Sequence, residues 1–216
     1  MKKLMIALIA AVAAAAPAES FARQPKSALE KSAEKMQRLK TVAIDFEYQQ
    51  ASGADASALY RRGSLLIMDR MYKLDWGESA IYFNGQLRWT YLKGVNEVTI
   101  NTPNPLEDGL FYDPAMLFSF DQKDYRHQLH PDRTTAAGKV VVAVDLFPKD
   151  KNAAYTLISL QIDKATHLPL AIAYHGKDGS RVTIKVSKVD PAVKPTAADF
   201  TFDVAKHPDV EVVDMR

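Results

Sequence analysis

The 216-residue chain contains no cysteine, which excludes disulfides, thiol catalysis and cysteine metal sites. A lipid-modified cysteine at a mature N-terminus is excluded with them, so the chain is not itself a lipoprotein. An excess of one charge is also missing. Lys+Arg number 28 against Asp+Glu 26, without a long block of either, and nothing argues for nucleic-acid binding by bulk electrostatics. Beyond the first residues, Leu, Ile and Val never form a run near the ~18 residues of a membrane-spanning helix. Catalytic signatures are lacking. Gly63-Ser64 and Gly179-Ser180 do not make the G-x-S-x-G elbow, and no G-x-G-x-x-G, Walker A or H-E-x-x-H pattern occurs. Neither an internal repeat nor a low-complexity segment is evident.

What is there begins with an export signal. Met1-Lys2-Lys3 is a short positive start, Leu4 to Ala16 is an apolar run too short to span a bilayer, and small residues follow at Ala16-Pro17-Ala18 and Ser20-Phe21-Ala22. Cleavage is expected after Ala22, with Ala18 as the alternative. Residues 1–22 are then the signal peptide and 23–216 one exported domain, a length ordinary for a single β-rich unit.

One amphipathic helix should follow. From Lys26 to Lys40, Leu29, Ala33, Met36 and Leu39 recur at helical spacing, with Glu30, Lys31, Glu34, Lys35 and Arg38 opposite. Pro25 suits its start. Its polar side mixes both signs, which favours a cover over the sheet above a membrane-binding helix. The rest is strand after strand, roughly ten at the spacing of a sandwich or barrel. Ile44, Phe46 and Tyr48 alternate with Asp45, Glu47 and Gln49, and strands are expected over Val140 to Phe147, Tyr155 to Ile162, Leu168 to Tyr174 and Arg181 to Val189. Asn84-Gly85 and Lys177-Asp178-Gly179 mark hairpin turns.

Between Arg61 and Ile100 the short strands are apolar on both faces: Leu65-Leu66-Ile67-Met68, then Tyr72, Leu74 and Trp76, then Ile81-Tyr82-Phe83 and Trp89-Thr90-Tyr91. An antiparallel sheet normally wets one face, so two apolar faces need a second thing to cover, and an apolar ligand is the candidate. A second unusual segment opens at Asp113-Pro114, which resembles an N-cap with proline at the first helical position. Leu110, Phe111, Met116, Leu117, Phe118 and Phe120 load it with more apolar surface than a loop needs, so it is expected to insert as a plug, a lid or an ordinary core helix. Arg70, between Met68 and Met71, is either a surface turn residue or a donor fork that bonds lid carbonyls or the polar end of an amphiphile. His127-x-x-His130 lies in the polar stretch Asp121 to Arg133, where a solvated loop outweighs a metal pair. Asp45 and Glu47 fit a wet strand face better than acid–base chemistry.

At these residues a resemblance becomes specific. Met36-Gln37-Arg38-Leu39-Lys40-Thr41 leading into Asp45-Phe46-Glu47-Tyr48-Gln49-Gln50, then Gly63-Ser64-Leu65, Arg70 to Trp76, Tyr82-Phe83-Asn84-Gly85-Gln86, Trp89-Thr90-Tyr91 and Asp199-Phe200-Thr201-Phe202 resemble the periplasmic outer-membrane lipoprotein carrier family, LolA. The resemblance implies a mainly β fold: an unclosed antiparallel β-barrel of about ten to eleven strands with an N-terminal helix and short lid helices. It implies a monomeric periplasmic chaperone, without catalytic residues, metal or cofactor, whose cavity takes the acyl chains of lipoproteins. Cargo would come from an inner-membrane ABC transporter and pass to an outer-membrane acceptor lipoprotein. Arg70 matches the family's lid-latching arginine, and Leu74 falls where the family has an aromatic residue used in cargo transfer. Met71 replaces the proline common after that arginine. Candidate acyl contacts are Leu65, Ile67, Leu74, Trp76, Phe83, Trp89, Tyr91, Met116, Leu117 and Phe118, with Trp76, Trp89 and Tyr91 equally suited to filling the core. A sixteen-carbon chain at about 0.8 kcal/mol per buried CH₂ gains on the order of 10 kcal/mol on leaving water, so no catalyst is needed to explain such a site. A sensor of mislocalised lipoproteins or another amphiphile on the same fold is the alternative, and an exported hydrolase with an unrecognised site the third.

Overall fold

The structure, a computed structural model, describes residues 27–52, 59–103, 122–136 and 138–216. It begins with helix α1, Ala28–Arg38. The Ser27 hydroxyl accepts from the Glu30 amide at 3.1 Å while the Glu30 carboxylate accepts from the Ser27 amide at 2.7 Å. This capping box sets the first turn; Pro25, expected at the start, lies outside the described residues. Lys35 and Arg38 lie in the last turn, favourable to the helix dipole. The buried side is Leu29, Ser32 and Met36, so the face is rotated slightly from the expected stripe, with Ser32 in place of Ala33.

Among the described residues the strands form one 13-stranded sheet. In chain order they are β1 Thr41–Ser52, β2 Leu59–Met68, β3 Met71–Asp75, β4 Ser79–Phe83, β5 Arg88–Leu92, β6 Glu97–Asn101, β7 Tyr125–Leu129, β8 Arg133–Thr134, β9 Val140–Pro148, β10 Tyr155–Asp163, β11 Pro169–Gly176, β12 Ser180–Asp190 and β13 Glu211–Asp214. The order across the sheet is β13-β6-β5-β4-β3-β2-β1-β12-β11-β10-β9-β7, with β8 also paired to β9. The two ends, β13 and β7, do not meet, so the sheet stays open as expected. Three details differ from the sequence reading, the first being thirteen strands where about ten to eleven are expected. β13 runs parallel to β6. The polar stretch around His127 is the edge strand β7 rather than a loop, because an edge needs only backbone bonds to β9 and can leave its side chains in water.

Strand β1 sits at the centre and pairs with β2 on one side and β12 on the other. Its register builds rows of apolar side chains across the sheet. Ile44 faces Leu65, Leu65 faces Leu74 and Leu74 faces Ile81; Val42 aligns with Ile67, Tyr72 and Phe83. On the other side Tyr48, Ile184, Ile172, Leu160 and Val144 make one row through five strands. These residues belong to a single core cluster together with Leu29 and Met36 of α1. The helix therefore lies on this inner face, and each fully buried aliphatic contributes roughly 1.5–3 kcal/mol. Gly63 keeps β1 and β2 together where Phe46 crosses over them, since a Cβ there would stand 2.5 Å from the Phe46 ring.

The outer face is covered by the C-terminal segment on one half and carries a polar network on the other. Trp89, Tyr91 and Val98 form a second cluster with Phe202 of the C-terminal segment. The Phe202 ring is 4.9 Å from Tyr91 and 5.7 Å from Tyr82, and His207 stacks on it at 4.4 Å. Farther along, Asp145 accepts from the Ser159 hydroxyl at 2.7 Å and meets His130 Nε2 at 2.9 Å. The carboxylate lies between serine and histidine, so the histidine is not placed to take the serine proton and the nucleophile is not activated. His127 and His130, three apart on extended chain, fall on opposite faces: His127 is opposite Leu146, and His130 reaches Asp145. Among the described residues no group of three His, Cys, Asp or Glu side chains could hold a metal ion.

The outer face can be tested at two points. Phe202→Ala should cost about 3–5 kcal/mol of unfolding free energy in urea denaturation, whereas a loss below about 1 kcal/mol would mean the C-terminal segment is not part of the core. For Asp145, burial alone would raise its carboxyl, but the bonds from Ser159 and His130 outweigh that and hold it below the usual carboxylate value. A lowered folded-state value gives stability that is present above the unfolded value and lost as pH falls through the folded one. Asp145→Asn should thus lower the thermal midpoint most at neutral pH, with the gap to the parent protein closing below about pH 4; a gap that widens in acid would contradict the assignment.

Candidate functional site

The broadest chemical feature is the inner face itself. Leu65, Ile67, Leu74 and Phe83, all expected ligand contacts, are brought together there, each 6% exposed or less. Trp76 is half-buried against the same cluster, its ring edge-on to Tyr48 at 5.8 Å. Trp89 and Tyr91 are placed differently. They pair with Tyr82 and Ala80, one residue out of phase with Phe83 and Ile81, and so point to the outer face, where Phe202 covers them. The doubly apolar strands thus have two separate covers: the C-terminal segment outside, and α1 with the opposite strands inside. Met116, Leu117 and Phe118, and with them the expected lid helices, lie outside the described residues.

Sequence reasoning misses half of this face. Val144, Leu146, Ile158, Leu160, Ile162, Ile172 and Ile184 are buried as deeply as the β1–β4 rows. In the sequence each reads only as part of a strand. Their alignment with β1–β4 depends on β12 pairing with β1, a contact between the two ends of the described chain.

The two ends of the face differ in chemistry. At one end stands the β2–β3 turn, where Asp69 has φ 53° and donates its amide to Lys40 O at 2.7 Å. Arg70 follows, exposed. Asn101, the last residue of β6, is at this same end, opposite Arg88, which is in turn opposite Phe83. At the other end is a band of tyrosines. The Tyr125 and Tyr155 hydroxyls share a hydrogen bond at 2.8 Å, the Tyr155 ring meets the Tyr174 ring edge-on at 5.8 Å, and the Tyr48 hydroxyl donates to Gln50 Oε1 at 2.8 Å. A cavity of about 590 Å³ opens here, with Tyr125, Tyr155, Pro148 and Lys149 in its wall. Such rings put apolar bodies against the core and polar tips at its margin. Burial pushes the Tyr125 and Tyr174 hydroxyls well up, and Tyr48 up to a lesser degree. Tyr174 is only 7% exposed, and its hydroxyl has no hydrogen-bond partner among the described residues.

Chemically, this face is a broad apolar surface with polar groups at its two ends. The face carries no nucleophile with a base beside it among the described residues. Among the described residues its two ends differ, with the charged Asp69-Arg70 turn at one and phenol groups at the other.

The family model described as outer membrane lipoprotein carrier protein LolA matches residues 37–203. An uncharacterised conserved protein from Thermus thermophilus superposes with a TM-score of 0.56 at 12% identity, covering 87% of this chain and 99% of that one, a likeness of fold alone. A putative outer membrane lipoprotein-sorting protein domain from Vibrio parahaemolyticus is 17% identical over 82% of this chain and 97% of its own, with a TM-score of 0.43. A LolA superfamily protein from Nitrosomonas europaea is 14% identical over the same shares, with a TM-score of 0.44. No curated protein matches the sequence. By the family match, which spans most of its length, this chain belongs to the outer membrane lipoprotein carrier family LolA, a periplasmic family of carriers rather than of enzymes.

Proposed function

We propose that this chain is a periplasmic chaperone that binds the acyl chains of lipoproteins against the inner face of its sheet and carries them from the inner to the outer membrane. The observation that supports this reading most is the continuous apolar face, on which rows such as Tyr48–Ile184–Ile172–Leu160–Val144 run through five strands in one cluster with Leu29 and Met36 of α1. Residues 1–22 are the cleaved export signal, and the monomeric domain 23–216 is the carrier. An inner-membrane ABC transporter loads it and an outer-membrane acceptor lipoprotein unloads it. Leu65, Ile67, Leu74, Phe83 and Trp76 touch the chains, joined by Met116, Leu117 and Phe118 of the lid. Trp89 and Tyr91, packed under Phe202, support the wall from behind.

Arg70 latches the lid in this reading. It stands at the end of the sheet where β6 finishes and the chain enters residues 104–121, and a guanidinium fork there can bond backbone carbonyls. Bonds that hold a lid closed over an empty cavity favour the empty state, so removing them shifts the balance toward the loaded one.

The protein purified from periplasm should carry acylated cargo, detectable by mass spectrometry; repeated isolation without any acylated molecule would refute the carrier reading. Because Arg70 is exposed, Arg70→Leu should change unfolding free energy by no more than about 0.5 kcal/mol, yet the variant should retain more cargo and deliver less of it to outer-membrane vesicles. Retention and delivery equal to those of the parent protein would remove Arg70 from the latch.

A further inference from the structure

The Tyr174 hydroxyl is an anomaly in the inner face. Its strand neighbours are Ile158 on β10 and Val182 on β12, Ile158 being fully buried. A phenylalanine would fill the same space without bringing a donor into apolar surroundings, where an unpaired hydroxyl is costly. The hydroxyl is enclosed, and among the described residues no hydrogen-bond partner meets it. The neighbouring Tyr125 and Tyr155 hydroxyls are bonded to each other, and neither lies within hydrogen-bond reach of it.

We infer that Tyr174 donates a hydrogen bond to a carbonyl oxygen at the head of a bound acyl chain. This rests on the carrier reading and adds to it a point of polar recognition. Hydrocarbon offers no acceptor, so in a diacylglyceryl group the acceptors within reach of an apolar face are the carbonyls where the chains join the glycerol. An anionic acceptor is disfavoured. The titratable groups acting on Tyr174 are Tyr155 and Tyr125, neither of them a cation, and a carboxylate or phosphate brought there would be an unpaired buried charge.

Position along the strand fits the same assignment. Tyr174 is two residues from the end of β11 at Gly176, on the side where the tyrosines gather, while β11 runs back five residues to Pro169. At ~3.3 Å per residue that leaves on the order of 17 Å of sheet beyond the hydroxyl for hydrocarbon. A carbonyl held by Tyr174 would put the glycerol near the tyrosine margin and the chain along the rows of Ile172, Leu160 and Ile162. The phenol would fix how far the lipid enters, and would favour ester-linked chains over ether-linked ones.

The test uses lipid-free mature protein and two synthetic probes. One is a peptide carrying an S-diacylglyceryl cysteine with ester-linked chains; the other is its dialkyl ether counterpart, which lacks the carbonyls. Binding is followed by equilibrium titration of parent protein and Tyr174→Phe. The ester probe should bind the variant roughly 3- to 10-fold more weakly, the worth of one neutral hydrogen bond, while the ether probe binds both proteins alike. The lipid-free variant should melt no lower than the parent, because the group removed had no partner. Equal binding of the ester probe by both proteins, or equal weakening for both probes, would overturn the role of Tyr174 and leave carriage intact. Failure of both probes to bind the parent protein would overturn carriage and this role together.

Discussion

Everything in this molecule depends on the pairing of β1 with β12. β1 already has β2 beside it as its next neighbour in sequence, but β12 comes from the far end of the chain. That one ladder joins the β2–β6 half to the β9–β12 half with matched phase, so that Ile44, Phe46 and Tyr48 fall into line with Val189, Val186 and Ile184. A slip of one residue would turn one half's apolar side outward. A register shift between Asp45 and Phe46 is accommodated within the ladder without that reversal. The result is one apolar face of unusual breadth, with Leu29 and Met36 of α1 packed on it, and in the proposed reading a bound acyl chain shares that face with the helix.

The outer face of the β4–β6 half is already occupied by the chain itself. Trp89, Tyr91 and Val98 are as apolar as their inner counterparts, yet Phe202 and His207 are already packed on them by covalent continuity of the same chain. A tethered cover has high effective concentration and leaves no room for a competitor. The polar network of Asp145, Ser159 and His130 does the equivalent for the other half, giving β9 and β10 a hydrated exterior with satisfied side chains.

Much of this is legible in the sequence, and the limits have physical causes. Strand periods point to the mainly β class and the hairpins from Arg61 to Ile100, and the turn at Asn84-Gly85 is where it is expected, with Gly85 at φ 95° and Asn84 Oδ1 accepting from the Gln86 and Leu87 amides. Doubly apolar strands signal two covered faces. Periodicity does not say which cover belongs to which face, so it groups Trp89 and Tyr91 with Leu65 and Leu74 although strand pairing sets them on the other side. The edge strand β7 is invisible because backbone pairing at an edge leaves no apolar mark. Tyr174 reads only as a strand residue, because the isolation of a hydroxyl depends on what the fold fails to bring near it.

Arg70 and the tyrosines at opposite ends give the face a direction, which a plain hydrophobic slot would lack. In the proposed reading, depth of entry is set by a phenol at one end and release by Arg70 at the other. The most direct measurement of the central claim is where the chain lies. With a ¹³C-labelled diacyl lipopeptide bound to the protein, intermolecular nuclear Overhauser contacts should connect acyl methylenes to the methyl groups of Leu65, Ile67, Leu74 and Ile158, and not to Val98 or Val212 on the far side of the sheet. Contacts to Val98 or Val212 with none to the inner-face methyls would contradict it.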